Sequence, residues 1–560
     1  MALGSYHITG SNAEPCARTL RPLASECDVV VIGGGIHGAS CARIAAAAGL
    51  SVQLLERGDF AAETSSRSSK MAHGGLRYLE LFDFEQVFEG IKAREKLFEE
   101  AGNLVQPTQF LIPVPKGAFW FRIKLAIGLT LYDLFVKNKA RKHRWVARKD
   151  LHYIGFDQKR SDLAGCFLYT DGIMNDTRLV LENILAAEAA GARAFNYCEV
   201  VGLVKELGDT HWSVTVRDTI TGSSHAVRSR SVINCAGPWV GALSRSANVQ
   251  KIPEVRLSRG VHLLFPTPWR APSLFLPMEG KSRYYFVWPH PAGTLVGTTE
   301  REVSSAEFDP TPWREEIEEI YSRISRDLAN TPLVGQRAHY CYAGLRTIPS
   351  GVTTLSDSER VRSAKESARL SRKHIWISDN GMHTLSGGKY TTAAWTAFEG
   401  VALVSRELGV SLPPSLNTES RLPGSGSACE MLEVERALLS AGYSQGAATR
   451  LVSRFGARAH GAATIENGST PLDAAVSDES LASITIGEVV LTLCTEKVRR
   501  LEDLLRRRLE VELLPGHGLS LLEKIAEMYG RHLSISEEEL EVEIARYRER
   551  MEKIDALLEN

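Results

Sequence analysis

The chain has 560 residues, 44% of them hydrophobic and 24% charged, with a formal net charge of −1. That length implies two or more domains, and the composition is that of an ordinary globular chain. The near-zero charge excludes a general nucleic-acid binder, so any anion recognition must come from local clusters. Nine cysteines without a Cys-x-x-Cys pair point to a reducing compartment with no structural zinc, no other metal site and no disulfide framework. No run of about 18 uncharged apolar residues offers a membrane-spanning helix.

Residues 1–26 are rich in Ser and Ala, with Arg18 and Arg21 their only Lys or Arg; they read as a flexible tail or an organelle presequence. Residues 29–32 (Val-Val-Val-Ile) form a short β-branched run, the pattern of a buried parallel strand. An Ala-rich helix over 36–48 follows, ending at Gly49, and then a second strand over 52–55 ending in Glu56. This is a βαβ unit whose turn reads Gly33-x-Gly35-x-x-Gly38. Such glycines permit a tight turn, a close approach of a pyrophosphate and close helix–strand packing, while the acid at the next strand end suits ribose hydroxyls. The helix N-terminus adds unpaired N–H groups and positive dipole for the phosphates. The motif alone does not separate FAD from NAD. The segment after it, Thr64-Ser65-Ser66-Arg67-Ser68-Ser69-Lys70, favours FAD, because it offers five hydroxyls and backbone donors to a long cofactor.

Further along, residues 118–136 are apolar and aromatic with Arg122 and Lys124 inside, and a basic cluster follows over 137–144. An apolar helix beside cations suits the surface of an anionic bilayer; a core helix with a solvated basic turn is the plainer alternative. A helix is expected over 178–190, strands over 212–216, 231–234 and 375–378, and alternating strand and turn signals over 252–345. After Gly387-Gly388-Lys389 an amphipathic helix is expected to begin at Lys389 and run to about Leu408. Pro413-Pro414 and residues 423–427 mark a linker, beyond which the pattern is helical, with 496–508 strongly charged.

With these motifs in order, the chain resembles the FAD-dependent glycerol-3-phosphate dehydrogenases over roughly residues 28–400. The resemblance rests on Glu56-Arg57-Gly58-Asp59-Phe60, the 64–70 segment, His73-Gly74-Gly75-Leu76-Arg77-Tyr78-Leu79, Asp176-x-Arg178-Leu179, Cys235-Ala236-Gly237-Pro238-Trp239, Gly297-Thr298-Thr299, Gly344-Leu345-Arg346 and Gly387-Gly388-Lys389-x-Thr391-Thr392. The helical C-terminal segment, with residues 495–509, looks like the family's cap domain. Glu63, His37 in the glycine loop, Thr347 after Arg346 and the charged segment 357–373 depart from the pattern. No EF-hand loop is visible, so calcium regulation is not expected.

The resemblance implies an α/β fold, α+β overall. An FAD-binding Rossmann domain of the glutathione-reductase and D-amino-acid-oxidase type carries an inserted β-rich substrate domain, with a helical domain at the C-terminus. Residues 27–412 would form the oxidoreductase region. Its FAD-binding parts lie at roughly 27–100, 165–250 and 340–412, with substrate- and membrane-facing segments at 101–164 and 251–339; the helical domain spans 413–560. FAD would be held by Gly33, Gly35, Gly38, Glu56, Arg57, Thr64, Ser65, Ser66, Ser68, Ser69, Lys70, His73, Gly74, Gly75, Ala236, Gly237, Gly344, Arg346, Gly387, Gly388, Lys389 and Thr391.

The implied reaction takes sn-glycerol 3-phosphate to dihydroxyacetone phosphate, with hydride passing from C2 to the flavin. Arg77 and Arg346 match the family's substrate-binding arginines, and guanidinium groups suit a phosphate dianion. His73 is the leading base and His262 its rival, since a neutral imidazole accepts a proton at physiological pH. His73 lies four residues before Arg77, which would bring both to one side of a helical segment. Lys389 would place positive charge at the flavin's pyrimidine edge. Electrons would pass to a membrane quinone from a peripherally bound protein at the mitochondrial inner membrane, or at the cytoplasmic membrane of a bacterium. A homodimer is compatible with this reading, and nucleic acid is not an expected partner. An oxygen-reducing oxidase, an amine or amino-acid oxidase and a non-catalytic flavin protein are the alternatives.

Overall fold

The computed structural model describes residues 22–76, 83–134, 136, 138–154, 162–206, 208–278, 284–329, 331–354, 374–417, 421–472 and 484–559. Residues 1–21, Arg77, Tyr78 and Leu79, Lys137 of the basic cluster and the charged segment 357–373 therefore lie outside the described residues.

Two sheets organise the molecule. In the first, Glu26–Ile32 lies between Ser224–Asn234 and Val52–Leu55, parallel to both; Met382–Ser386 continues the parallel set on one side and Arg193–Phe195 on the other. Val29, Val30 and Val31 have no exposed surface, which is why this run is β-branched throughout: a central parallel strand is covered on both faces. Helix α1 (Ile36–Ala47) packs on this sheet. Gly35 precedes it and offers no capping side chain. The cap comes from a distance instead, the Ser65 hydroxyl accepting the Ile36 N–H at 3.0 Å. Gly49 ends the unit at φ +85°, a left-handed turn that suits glycine.

Among the described residues the second sheet has ten strands, including Val105–Pro115 and Leu163–Met174, paired along most of their length, and Lys251–Phe265, paired with Tyr340–Thr354. Helices α2 (Phe84–Glu100) and α3 (Phe119–Asp133) flank it, and α4 (Asp176–Ala189) packs on α1. The fold class expected from the sequence is thus the one observed. The helix after Gly387-Gly388 starts later than expected: residues 390–392 form a turn, and the helix is Ala393–Leu408.

Most of the described residues from Ala428 onward are helical, and their core is continuous with that of the second sheet: Leu505, Leu522 and Tyr547 belong to one buried cluster with Leu263, Tyr285 and Tyr340. The charged run over 496–508 is largely internal. The Arg178 guanidinium forks onto Glu496 with two 2.6 Å contacts, both side chains having no exposed surface. The Arg508 guanidinium meets Asp59 at 2.6 and 2.8 Å. Two motifs read from the sequence, Glu56-Arg57-Gly58-Asp59 and Asp176-x-Arg178, thereby fasten the cofactor sheet to the C-terminal helices. Removing one partner of such a pair strands a buried charge and costs about 3–5 kcal/mol. The neighbouring Arg178 and Arg458, against the opposing pull of burial, hold the Glu496 carboxyl down at about 2. A depressed carboxylate pKa contributes stability that is complete above the unfolded value near 4.5 and is lost as pH falls through about 2. Glu496→Gln is accordingly expected to be destabilised relative to the parent at pH 7, with the difference shrinking between pH 4.5 and 2, as read by urea unfolding across that range. A pH-independent difference would remove the ion pair from the account.

Candidate active site

At the C-terminal ends of the parallel strands lies a cavity of about 720 Å³, within the size range of sites for organic ligands. Its floor is the glycine loop. Gly33 sits at φ +106° with its α-carbon against Cys235, where an added Cβ would fall 2.5 Å from the Cys235 carbonyl oxygen. At Gly38 a Cβ would fall 1.8 Å from the Gly33 carbonyl oxygen, so only hydrogen lets α1 seat against the loop. Gly33 and Gly35 line the cavity, whereas Gly38 lies behind it. The Glu56 carboxylate is clamped by backbone, accepting the Gly34 N–H at 2.6 Å and the Gly58 N–H at 2.8 Å. Burial raises its pKa. Arg57 lies over the rings of Trp239 and Phe308, 3.9 and 3.0 Å from their centroids.

The hydroxyl-rich segment forms one wall, and much of its hydrogen bonding is internal. Thr64 donates to the Leu345 carbonyl at 2.9 Å, Ser66 to that of Glu63 at 3.4 Å and Ser68 to Asp176 at 2.7 Å. Lys70 is buried and pairs with Asp176 at 2.6 Å. Thr64, Ser65, Ser68 and Ser69 reach the cavity; Ser66 and Lys70 do not line it. Ala236, Gly237, Gly344, Gly387, Gly388 and Thr391 all line it. Gly387 and Gly388 have positive φ, and a Cβ at Gly388 would meet the His37 ring at 2.6 Å, so the unusual histidine in the glycine loop packs against the glycine pair. Burial drives the His37 pKa down to about 4.

Arg346, Lys389, His73 and His262 line the same cavity. Arg346 donates to the Thr298 hydroxyl at 3.0 Å. Gly260 and Gly344 make room there: a Cβ at Gly260 would fall 3.1 Å from the Arg346 guanidinium, and one at Gly344 only 2.3 Å from the Arg67 carbonyl oxygen. Lys389 contacts the Gln86 side chain of α2. It precedes the helix Ala393–Leu408 rather than beginning it. Residues 73–75 are irregular, with Gly75 at φ +78°, so the one-face helical argument linking His73 to Arg77 does not hold over these residues. Gly74 is fully against other groups, its N–H bonded to Asp171 at 2.9 Å.

His262 is 2% exposed, stacked on Tyr342 with 5.0 Å between centroids. Its Nε2 meets the Ser69 hydroxyl at 3.0 Å, and its Nδ1 is buried without a hydrogen-bond partner. Burial, reinforced by the Arg346 and Lys70 charges, holds its pKa well below the ordinary histidine value. The ring nonetheless lines the cavity.

Part of the cavity lining is apolar and aromatic: Tyr169, Phe275, Met278, Tyr284 and Phe286. Tyr284-Tyr285-Phe286 falls in the 252–345 stretch of alternating strand and turn signals, to which the sequence attaches no role. Its period-2 alternation was the signal: Tyr284 and Phe286 face the cavity, whereas Tyr285 is buried and donates to Asp327 at 2.7 Å. Asp171 and Gln86 were missed, having no motif around them.

Among the described residues no group of three or more His, Cys, Asp or Glu could hold a metal ion. The cavity suits an elongated dinucleotide, with glycines where phosphates approach, a clamped carboxylate at the ribose end and a cationic far corner. Residues 28–394 match the FAD-dependent oxidoreductase family, and residues 416–540 match the C-terminal domain of alpha-glycerophosphate oxidase. A glycerol-3-phosphate dehydrogenase of Mycobacterium leprae is 30% identical over 94% of this chain and 88% of its own. The chain belongs to the FAD-dependent glycerol-3-phosphate dehydrogenase and oxidase family. Human mitochondrial glycerol-3-phosphate dehydrogenase is 33% identical over 68% of this chain and 54% of its own. The glycerol-3-phosphate dehydrogenase of Bacillus halodurans, solved with FAD, superposes with a TM-score of 0.73 over 96% of this chain and 95% of its own at 22% identity, which shows a shared fold. The glycine cradle, with Cβ positions that backbone oxygens already occupy at Gly33 and Gly38, fits the cofactor of that family. As a family member the protein is an FAD-dependent enzyme.

Proposed function

We propose that the protein oxidises sn-glycerol 3-phosphate to dihydroxyacetone phosphate and passes the electrons to a lipid quinone while bound to a membrane surface. The observation that carries this reading is the convergence of Arg346 and Lys389 on the cavity whose floor is the glycine cradle. Bound FAD supplies the hydride acceptor for C2 of the substrate. Arg346 grips the phosphate, its guanidinium steadied by Thr298 and its approach kept open by Gly260. Lys389, braced by Gln86, adds positive charge where reduction leaves negative charge. His73 takes the C2 hydroxyl proton; it is favoured over His262, whose Nε2 is engaged by Ser69 and whose Nδ1 is buried. Arg77, one residue past Leu76 in sequence, completes the grip in this reading.

The aromatic part of the cavity lining supports a lipid acceptor. Tyr169 and Phe275 share a buried cluster with Leu129 and Tyr132 on the inner face of α3. The outer face of α3 exposes Phe119, Trp120 and Ile127, at 63%, 79% and 58%, among the exposed Arg122, Lys124, Lys139, Lys142 and Arg144. Aromatic and apolar side chains ringed by cations suit the interface of an anionic bilayer, and no described helix is long and apolar enough to cross one. The human relative's mitochondrial name supports the mitochondrial inner membrane as that bilayer. The match of the C-terminal region to alpha-glycerophosphate oxidase favours oxygen as the second candidate acceptor. Reoxidation of the substrate-reduced enzyme decides between them. On anionic vesicles containing a quinone, reoxidation is expected to outrun that by dissolved oxygen by at least tenfold, and Trp120→Glu with Ile127→Glu is expected to abolish vesicle co-sedimentation and this advantage together. Rapid reoxidation by air with stoichiometric peroxide would establish the oxidase instead.

A further inference from the structure

The loop His73–Gly75 enters the cavity between three elements, and one carboxylate oxygen holds it. Asp171 Oδ1, on the strand Leu163–Met174, accepts the Gly74 N–H at 2.9 Å, Arg94 Nη1 of α2 at 3.0 Å and the Tyr132 hydroxyl of α3 at 3.1 Å. Arg94 Nη1 also reaches the Thr170 carbonyl at 3.0 Å, and Nη2 reaches Glu95 at 2.7 Å. Arg94, Asp171 and Tyr132 are all at most 1% exposed. Contact closes the remaining directions. A Cβ at Gly74 would fall 2.3 Å from the Tyr132 hydroxyl oxygen, and one at Gly90 of α2 would fall 2.9 Å from the Gly74 carbonyl oxygen. Asp171 itself lines the cavity.

A full positive charge buried in the protein needs a compensating anion, and Asp171 meets that need for Arg94 with one contact. Stability by itself requires no more. The same oxygen nevertheless anchors the backbone amide next to His73, on a loop with a left-handed glycine at Gly75 and no secondary-structure ladder of its own from 73 to 75. Misplacing a reacting group by about 1 Å can cost 10²-fold in rate, so a loop of this kind needs an external anchor.

We infer that Asp171, Arg94 and Tyr132 form a buried positioning set that seats the His73–Gly75 loop against the reacting carbon of the substrate. The set acts through the Gly74 amide and not by touching substrate. This inference rests on the reading of His73 proposed above. One consequence is built into the geometry: α3, whose outer face is exposed and aromatic, contributes through Tyr132 to the seating of the catalytic loop.

The test uses the full-length holoenzyme with glycerol 3-phosphate and an artificial dye acceptor, together with amide hydrogen exchange of the peptide covering residues 71–76 without substrate. Tyr132→Phe keeps the ring and the Arg94–Asp171 charge pair. It is expected to lower kcat three- to fivefold with KM changed less than twofold, flavin content unchanged and faster exchange in the peptide. Asp171→Asn is expected to lower kcat by 10- to 100-fold, and the double variant to lose less than the product of the two, because both act through one oxygen. Should Asp171→Asn fail to fold, Tyr132→Phe decides alone. Parent-like kcat per bound flavin and parent-like exchange in Tyr132→Phe would overturn the inference, as would a fall in thermal stability with kcat per flavin unchanged. A parent enzyme whose flavin ignores glycerol 3-phosphate would sink the proposed reaction, and the exchange measurement would still decide whether this set seats the loop.

Discussion

Arg346→Ala is expected to lower kcat/KM for glycerol 3-phosphate by roughly 10²- to 10⁴-fold while FAD remains bound. Two charge-assisted hydrogen bonds from one guanidinium to a phosphate contribute about 1.5–3 kcal/mol each, and 1.36 kcal/mol corresponds to a tenfold change in rate. Arg346 lies beside Thr298 and Gly260, and the close contacts that shape the cradle at Gly33 and Gly38 do not involve it, so flavin content should not change. Arg346→Lys keeps the charge but lacks the planar fork, and an intermediate loss is expected. Steady-state kinetics at several substrate concentrations, with flavin absorbance as the control, checks both. Unchanged kinetics in Arg346→Ala would remove this residue from the substrate site.

The second large effect belongs to the cradle. Gly38→Ala puts a methyl 1.8 Å from the Gly33 carbonyl oxygen and 3.1 Å from the Gly33 carbonyl carbon. Both obstacles are backbone, so α1 must back away from the loop that faces the phosphates. Purified Gly38→Ala is expected to carry less than a tenth of the parent's flavin. Gly35→Ala is a graded case, because its methyl would fall 3.0 Å from the Ser65 hydroxyl, a side chain that can turn aside at the expense of its bond to the Ile36 N–H. Gly49→Ala is the control: open space surrounds it, and only its φ of +85° is strained, so stability should fall by about 1 kcal/mol with flavin retained. Flavin-to-protein absorbance ratios after gel filtration read all three. Full flavin in Gly38→Ala would mean that the glycine is not needed for close packing.

Much of this was legible in the sequence for identifiable reasons. The βαβ unit shows because a doubly covered parallel strand must be β-branched and a phosphate turn must be glycine, both local constraints. The strand Val52–Leu55 and helix α1 appear within a residue of their expected ends. Long-range pairing left no such trace. Nothing local in the 496–508 run says that Glu496 and Arg508 face inward to Arg178 and Asp59; a charged run reads as a solvated face until its partners are known. The hydroxyls of Thr64, Ser66 and Ser68 suit a dinucleotide by residue type; in the fold they also donate to backbone carbonyls and Asp176, and Thr64 and Ser68 line the cavity whereas Ser66 does not. His262 reads as a base from its residue type alone; it does line the cavity, but its burial against Tyr342 and near the Arg346 and Lys70 charges, which lowers its pKa, has no local trace in the sequence. Asp171 had no motif at all: its role comes from three donors brought together by α2, α3 and the 73–75 loop.

The central claim is that a cationic corner beside the FAD cradle holds glycerol 3-phosphate with its secondary alcohol carbon toward the flavin. Anaerobic addition of glycerol 3-phosphate to the purified holoenzyme, followed at the flavin band near 450 nm, tests it most directly. Complete bleaching by the phosphate ester, and none by glycerol, is expected. An oxidised spectrum that persists at saturating glycerol 3-phosphate, in protein carrying a full complement of FAD, would contradict that claim.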